Sequence, residues 1–414
     1  MSGLQDRLLL SRRRFLQGAA GAAAAHLAAP LAGALDSSAA GTLAYAGTYT
    51  GAAGNLGDGE GIYRLRMNEQ TGVLSDCELV ASTPSPSWIV VHPSRRFLYA
   101  ANEIDTFRGK SGSISAFAID AASGALRQLN VQSSEGAGPA YLSLDRSGKF
   151  AFAANYGGGS IAVFPVRADG SLGAAVDIHR DQGSLGAQRA TDAPRGSFAI
   201  SGHDAPHAHM ILPDPANRFV LATDLGQDRI YVYQFAAARG ALTPNPAQPF
   251  VTLPSGDGPR HFVFHPRGRW LYSIQEEAST VALFDYDARN GTLKARQTVS
   301  TLPEGFAGTG FASEILVSDD GRFVYAANRL HDSITVFAVG EDGDLQQKSQ
   351  CSTHGDYPSQ MRIDPTGNFL YACNRRSDDI TCFRIDRKSG LLNFTGRYTA
   401  VGSPGSLTFL SQAR

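Results

Sequence analysis

The sequence predicts an all-β protein, a seven-bladed β-propeller of four-stranded antiparallel blades in which the C-terminal strand joins the N-terminal blade. Three observations predict this fold. First, a unit of short strands and turns recurs at a spacing of about 50 residues. Second, the aromatic-rich run of this unit occurs seven times. Third, one strand near the C-terminus has no partner in a unit of its own. The 45 glycines and the low share of charged residues, 18%, suit a chain with many tight turns.

The repeated unit is clear in "GPRHFVFHPRGRWLYSIQEEASTVALFDYDARNGTL", from Gly258 to Leu293. Its apolar runs are short and rich in valine, isoleucine, phenylalanine and tyrosine, and across the units Asp-Pro, Ser-Gly or Asp-Gly turns separate them, which predicts strands. Each unit supplies an inner strand A ("HFVFHP"), then B ("RWLYSI"), C ("TVALFDYD") and D after "NGTL". Four antiparallel strands per repeat are typical of a propeller blade.

The ends of the chain predict how the ring closes. The first unit, "LAYAGTY", has no A strand before it, whereas "SPGSLTFL" at Ser403 to Leu410 has the form of an A strand without a following unit. We therefore expect this tail to complete the first blade and to cover the free sheet edges. The seven B runs are centred on Tyr45, Tyr99, Phe152, Leu221, Tyr272, Tyr325 and Tyr371.

The N-terminus is predicted to be a targeting segment. "SRRRFLQ" at Ser11 to Gln17 has the twin-arginine pattern, an alanine-rich stretch follows, and "AGA" at Ala32 to Ala34 suits signal peptidase. We expect residues 1–34 to be a twin-arginine signal peptide and residues 35–414 to be one propeller domain, exported to the periplasm or the cell exterior. The apolar run is too short and too interrupted to predict a stable membrane anchor.

Charge and cysteine usage narrow the classes of function. A net charge of −1 and a pI near 6.8 predict no nucleic-acid partner and no binding to an acidic membrane surface. None of the four cysteines forms a C-x-x-C motif, and we expect neither a metal nor a cofactor. Cys373 and Cys382 are interpreted as buried thiols, with a disulfide as the alternative. The oligomeric state is left open, and a monomer fits the sequence.

Strand direction predicts where the chemistry lies. Because A and B are antiparallel, residues that enter A and residues that leave B meet at one mouth of the central channel. The aromatic-rich runs of the third and fourth units are farther apart than the others, and this wide gap, at about residues 167–205, predicts an irregular loop over one face.

At the channel mouth, histidine and carboxylate side chains can transfer protons, and guanidinium groups bind anions. The catalytic candidates, which break the repeat there, are His207, Arg260, Glu276 and Arg329. The substrate-binding candidates are His209, His261, Asp224, Glu314 and Asn155, although asparagine ends strand B in four blades and is also expected to cap the turn.

Several long segments carry a family resemblance: "ANYGGGSIAVFP", "PHAHMILPDPANRFVLATDLGQDRIYVY", "GDGPRHFVFHPRGRWLY" and "SEILVSDDGRFVYAANRLHDSITVF". Over the mature chain, the sequence resembles the lactonase family of seven-bladed propellers, typified by propeller-type 6-phosphogluconolactonase and carboxy-cis,cis-muconate cyclase. The resemblance implies an active-site cluster at His207, Arg260, Glu276 and Arg329. Gln275 departs from the asparagine that relatives usually have before the glutamate.

Three functions remain open at this stage. The first is hydrolysis of a sugar-acid lactone, in which Glu276 or His207 takes a proton from the attacking water while Arg260 and Arg329 bind the oxyanion or an anionic substituent. Export favours an unphosphorylated aldonolactone over a cytoplasmic phosphorylated one. The second is lactonisation of a muconate-type diacid. The third is a non-catalytic propeller that binds a ligand or a partner protein at the same mouth.

Overall fold

The computed structural model describes residues 41–51, 57–199 and 202–410, and its strands form seven antiparallel sheets. The predicted all-β seven-bladed propeller is confirmed. The predicted signal peptide, residues 1–34, lies outside the described residues, so that boundary stays a prediction. Within the part of the chain that the structure describes, no helix is long and apolar enough to span a membrane.

Blade 1 joins the two ends of the chain, as the sequence predicted. The C-terminal strand pairs antiparallel with the first one, with Leu407 opposite Ala46 and Phe409 opposite Ala44. Leu407 and Phe409 are buried, so the closing strand adds to the core as well as to the sheet. From the channel outward, blade 1 consists of β29 (Pro404–Phe409), β1 (Thr42–Thr48), β2 (Ile62–Met67) and β3 (Leu74–Ala81).

Blades 2 to 7 are each built from consecutive strands, and the innermost strand of each is the first in sequence. Blade 2 comprises β4 (Trp88–Val91), β5 (Phe97–Phe107), β6 (Ser111–Ile119) and β7 (Leu126–Ser133). Blade 3 comprises β8 (Pro139–Leu144), β9 (Phe150–Asn155), β10 (Ser160–Pro165) and β11 (Asp177–Arg180). Blade 4 comprises β12 (Ala208–Pro213), β13 (Phe219–Asp224), β14 (Arg229–Ala236), β15 (Ala241–Pro244) and β16 (Phe250–Thr252), the last two both pairing with β14.

The remaining blades have four strands each. Blade 5 comprises β17 (Pro259–Phe264), β18 (Trp270–Gln275), β19 (Thr280–Asp287) and β20 (Thr292–Ser300). Blade 6 comprises β21 (Ala312–Val317), β22 (Phe323–Asn328), β23 (Ser333–Val339) and β24 (Leu345–Ser352). Blade 7 comprises β25 (Pro358–Ile363), β26 (Phe369–Asn374), β27 (Asp379–Ile385) and β28 (Leu392–Ala400).

Burial explains the composition of the strands. Every residue of the B strands β9, β13, β18, β22 and β26 is buried. Both faces of a B strand are covered by the neighbouring blades, so its residues are largely apolar rather than alternating between apolar and polar. In the outer strand β20, by contrast, most side chains are exposed or half-buried. The core therefore lies between the blades.

A recurring tyrosine fastens five of the seven blades to the next. Tyr272, in β18, donates a hydrogen bond of 2.8 Å from its hydroxyl to the carbonyl oxygen of Gly343, which has a φ of +87°. That left-handed backbone is accessible to glycine at little cost. Phe152 and Leu221 occupy the equivalent positions of blades 3 and 4, which lack this bond. The other pairs of this kind are Tyr45–Gly124, Tyr99–Gly170, Tyr325–Gly390 and Tyr371–Gly72.

The segment predicted as an insertion begins with a blade strand. Within 167–205, residues Asp177–Arg180 form β11 and complete blade 3. The loop that follows contacts turns at the end of the propeller where A strands begin. The Asp181 amide donates to Gly159, the Gly186 amide to Gly226, and the Phe198 amide to Thr309. The irregular part of the segment therefore starts later than the sequence indicated.

Candidate active site

A cavity of about 240 Å³ opens at the channel mouth where A strands begin and B strands end. Aromatic and charged side chains from all parts of the ring meet there. Both signs of charge are present, and three of the charged groups are arginines. The lining comprises Tyr49, Ser87, Trp88, Glu103, Ala140, Tyr156, His209, Arg260, His261, Glu276, Phe311, Arg329, Tyr357, Ser359, Arg375 and Gly405.

A β-bulge near the start of the A strand aims an additional side chain at this cavity. In β17, Pro259 and His261 pair with successive residues of β18, so Arg260 is the extra residue, and His209 is the extra residue of β12. A bulge breaks the alternation of side chains between the two faces of a strand. Arg260 and His261 therefore both line the cavity although they are adjacent in sequence. The corresponding extra residues of blades 3, 7 and 1, which also line it, are Ala140, Ser359 and Gly405.

Glu276 is held between two arginines. Its Oε2 lies 3.0 Å from Arg260 Nε and also pairs with Arg329 Nη2. The side chain of Glu276 is 5% exposed and those of both arginines are 9% exposed. Burial is the largest single influence and opposes the charge of Arg329, but Glu276, together with Tyr357 and Glu277, outweighs it and raises the pKa of that guanidinium. Two cations against one carboxylate leave a net positive charge on this wall.

Backbone carbonyls fix the two arginines further. Arg260 Nη1 donates to the Ser313 carbonyl at 2.6 Å. Arg329 Nε donates to the Phe311 carbonyl at 3.2 Å, and its guanidinium carbon lies 4.0 Å from the centre of the Phe311 ring. Both side chains are thus oriented by the fold before any ligand arrives, which lowers the cost of binding an anion.

His209 and His261 form the floor of the cavity together with aromatic rings. The two imidazoles meet edge to face at 5.0 Å, and Trp88 and Tyr141 pack against His261 at 5.3 and 5.2 Å. Burial, followed by the charge of Arg260, lowers the pKa of both histidines well below the ordinary value, so both rings are neutral at pH 7. His209 Nδ1 is buried and has no hydrogen-bond partner among the described residues.

A second acidic group lies across the cavity. Glu103 interacts with the side chains of Ser87 and Tyr49, and Arg375 lies 3.5 Å from the centre of the Tyr49 ring. Burial raises the pKa of Glu103, against the hydrogen bonds from Ser87 and Tyr49 and the charge of Arg375. This side of the cavity therefore offers one cation, one carboxyl group and an aromatic face to the part of a ligand that is remote from Glu276.

Comparison with known proteins identifies the family. The profile described as "Lactonase, 7-bladed beta-propeller" matches residues 43–409. The chain belongs to the lactonase family. The 6-phosphogluconolactonase of Bacillus subtilis is 33% identical over 371 residues, which is 89% of this chain and 99% of the relative. The 6-phosphogluconolactonase of Serratia proteamaculans is 30% identical over 81% of this chain and 92% of its own.

A solved structure agrees with this assignment. The periplasmic gluconolactonase of Pseudomonas aeruginosa superimposes with a TM-score of 0.79 at 32% identity, covering 90% of this chain and 99% of its own. The family resemblance inferred from the sequence is therefore confirmed.

Of the nine residues singled out in the sequence of this lactonase-family protein, five line the cavity: His209, Arg260, His261, Glu276 and Arg329. Glu314 lies directly behind the lining, 3.1 Å from His261 Nδ1. His207, Asp224 and Asn155 are not among the lining residues.

The structure gives each of these three side chains another role. His207 has both ring nitrogens engaged, Nδ1 at 2.8 Å from the Tyr156 carbonyl and Nε2 at 3.0 Å from an Asp204 carboxylate oxygen. Asp224 accepts the backbone amide of His207 at 3.1 Å. Asn155 donates to the Ser134 carbonyl at 2.8 Å. These contacts shape the turns beside the cavity and leave His207 without a free nitrogen to offer a substrate.

Several lining residues were not among the candidates. Tyr49 and Arg375 follow B strands, and Tyr357 and Ser359 lie at the start of an A strand. Their position in the repeat was the available signal, because the same two positions supply the lining in other blades. In the described part of the chain, no group of three or more histidine, cysteine or acidic side chains is arranged to hold a metal ion, and all four cysteines are unbridged thiols.

Proposed function

We propose that this protein hydrolyses a sugar-acid lactone, and that the Glu276 carboxylate between Arg260 and Arg329 is the centre of its active site. The observation that carries the proposal is this buried clamp on the wall of the cavity, in a chain of the lactonase family. A carboxylate is a suitable proton acceptor for water, and the two guanidiniums are suited to an anion.

The reaction follows from this arrangement. Water adds to the lactone carbonyl carbon, and Glu276 accepts its proton. The two arginines stabilise the negative charge that develops on the carbonyl oxygen. The ring C–O bond then breaks, the leaving oxygen takes the proton from Glu276, which becomes a carboxylate again, and the product is an open hydroxy acid. Neutral His209, which lines the cavity and whose Nδ1 has no hydrogen-bond partner among the described residues, orients the attacking water. In this proposal His209 replaces His207.

The positive wall also suits the product, which carries a carboxylate. Arg375 adds a third cation on the opposite side, where it would contact a remote hydroxyl or an anionic substituent of the sugar. We propose an unphosphorylated aldonolactone as the natural substrate, since the twin-arginine pattern in residues 1–34 favours export and a similar structure is that of a periplasmic gluconolactonase. Comparing kcat/KM for glucono-lactone with that for its 6-phosphate tests this choice.

A matched pair of histidine variants tests the site. His209→Gln removes the imidazole from the cavity, whereas His207→Gln removes a ring of the same size outside the lining. We expect His209→Gln to lower kcat/KM for lactone hydrolysis by about 100-fold and His207→Gln to act on thermal stability far more than on kcat. Acid release measured at constant pH, corrected for spontaneous hydrolysis, follows both. A wild-type protein that binds the lactones without turnover would refute the proposed function, and loss of activity confined to His207→Gln would refute the role of His209.

A further inference from the structure

A continuous row of polar contacts runs from below the cavity floor to the clamped carboxylate. Glu314 Oε1 lies 3.1 Å from His261 Nδ1, and His261 Nε2 lies 3.5 Å from Arg260 Nη1. Arg260 Nε in turn lies 3.0 Å from Glu276 Oε2. Glu314 is only 5% exposed and is not among the lining residues, and its contact with His261 links it to Arg260 and Glu276.

The direction of these contacts determines the tautomer of His261. The ring is neutral, because burial and the charges of Arg260 and Arg329 lower its pKa well below the ordinary value. A neutral imidazole has one N–H donor and one acceptor nitrogen, while a guanidinium N–H can only donate. A carboxylate oxygen can only accept, so Nδ1 carries the hydrogen toward Glu314 Oε1, and Nε2 is left as the acceptor that faces Arg260. In the other tautomer, Nδ1 and the Glu314 oxygen would face each other without a hydrogen between them.

Resting on the proposed function, we propose that Glu314 is a positioning residue that selects the Nδ1–H tautomer of His261 and thereby fixes Arg260 against Glu276. A carboxylate beside one imidazole nitrogen holds the ring in a single tautomer and orientation. Oε1 of Glu314 is itself oriented, since it accepts the Ile315 amide at 3.0 Å.

The charged and titratable groups around Glu314 come from four strands. Arg260 and His261 approach from β17, and the other groups are Arg362 from β25, Cys373 from β26 and Tyr141 from β8. Burial raises the pKa of Glu314 to about 7, against the charges of Arg260 and Arg362. Two nearby cations thus keep a substantial part of this buried carboxyl group ionised at neutral pH, as the proposed role requires.

The tautomer can be measured without reference to activity. In protein labelled with 15N in its histidines, long-range 1H–15N spectra distinguish Nδ1–H from Nε2–H, and the His261 signals are those lost in His261→Gln. We expect Nδ1–H in the wild type and in Glu314→Gln, whose amide oxygen still accepts. Glu314→Leu, which removes the acceptor, should shift His261 toward Nε2–H, because the remaining contact with Arg260 is 3.5 Å long and weak.

Kinetics provide the second readout. We expect Glu314→Leu to lower kcat/KM for lactone hydrolysis by about 100-fold and Glu314→Gln to restore most of that loss. Glu341→Leu, the same change at an exposed glutamate, is the control and should leave the rate unchanged. An Nε2–H tautomer in the wild type, or an unchanged tautomer in Glu314→Leu, would overturn the proposal. The wild-type spectrum is decisive even if Glu314→Leu does not fold. The predicted tautomers in a protein that hydrolyses no lactone would support the positioning of Arg260 and refute only the proposed function.

Discussion

Replacing Glu276 by glutamine tests the buried clamp directly. The substitution keeps the size of the side chain and removes the single negative charge between Arg260 and Arg329. All three side chains are almost inaccessible to water, with exposures of 5%, 9% and 9%. Solvent therefore cannot compensate the two cations, and the variant must carry uncompensated positive charge in its interior.

The size of the effect follows from that burial. Removing one partner of a buried ion pair costs about 3–5 kcal/mol of stability. We expect the lower end of that range here, because the amide oxygen of glutamine still accepts a hydrogen bond from one arginine. The unfolding entropy of a propeller that spans residues 43–409 is about 0.8 kcal/mol/K, so a loss of about 3 kcal/mol lowers Tm by about 4 °C. Lactone hydrolysis should fall by at least about 100-fold, since the proton acceptor is lost.

Thermal unfolding and acid release at constant pH measure the two effects. Glu341→Gln makes the same chemical change at an exposed site and should leave both unchanged. Adding Arg329→Met to Glu276→Gln removes one of the two uncompensated cations, so it should restore part of the stability and none of the activity. A Glu276→Gln protein with wild-type Tm and wild-type kcat would refute both the energetic argument and the assignment of the site.

Two further predictions concern the scaffold. Burial, followed by a hydrogen bond and repulsion from Asp192, raises the pKa of Asp257 to about 8. The protonated carboxyl group of Asp257 therefore stabilises the native state at low pH, and this contribution to the free energy of unfolding is lost as the pH rises through about 8. Asp257→Asn should thus flatten the fall in Tm between pH 5 and pH 9, and parallel pH profiles would contradict this. Tyr272→Phe removes the hydroxyl that bonds Gly343 and should cost about 1 kcal/mol in urea unfolding without changing kcat; an unchanged midpoint would show that this contact between blades contributes nothing.

The sequence was sufficient for the ring because its signals are repeated. The buried B strands must be largely apolar, so their seven copies stand out, and the tail from Ser403 to Leu410 could be placed by its lack of a partner. The strand β11 was missed for the opposite reason. It is an outer strand with exposed positions, so "DIHR" from Asp177 to Arg180 carries no apolar pattern, and the insertion was placed too early.

The choice between His207 and His209 could not be made from the sequence. Both belong to "PHAHM", and the bulge at position 209 decides which side chain faces the channel. A bulge depends on backbone geometry and leaves no clear mark on residue type. An equivalent bulge in β17 allows Arg260 and His261 to be neighbours in sequence and in the cavity. Arg260, Glu276 and Arg329 were found because they are charged residues at the two positions of the repeat, the entry to strand A and the exit from strand B, that meet at the channel mouth.

The pairing of β29 with β1 makes closure of the ring depend on the last strand described. Because β29 is synthesised after every other strand described, a nascent chain on the ribosome keeps the edge of β1 unpaired until Pro404–Phe409 emerges. A chain truncated before Pro404 would permanently expose that edge and the apolar residues that Leu407 and Phe409 cover. Such fragments should aggregate or be degraded, so only chains that contain the closing strand should accumulate as folded protein.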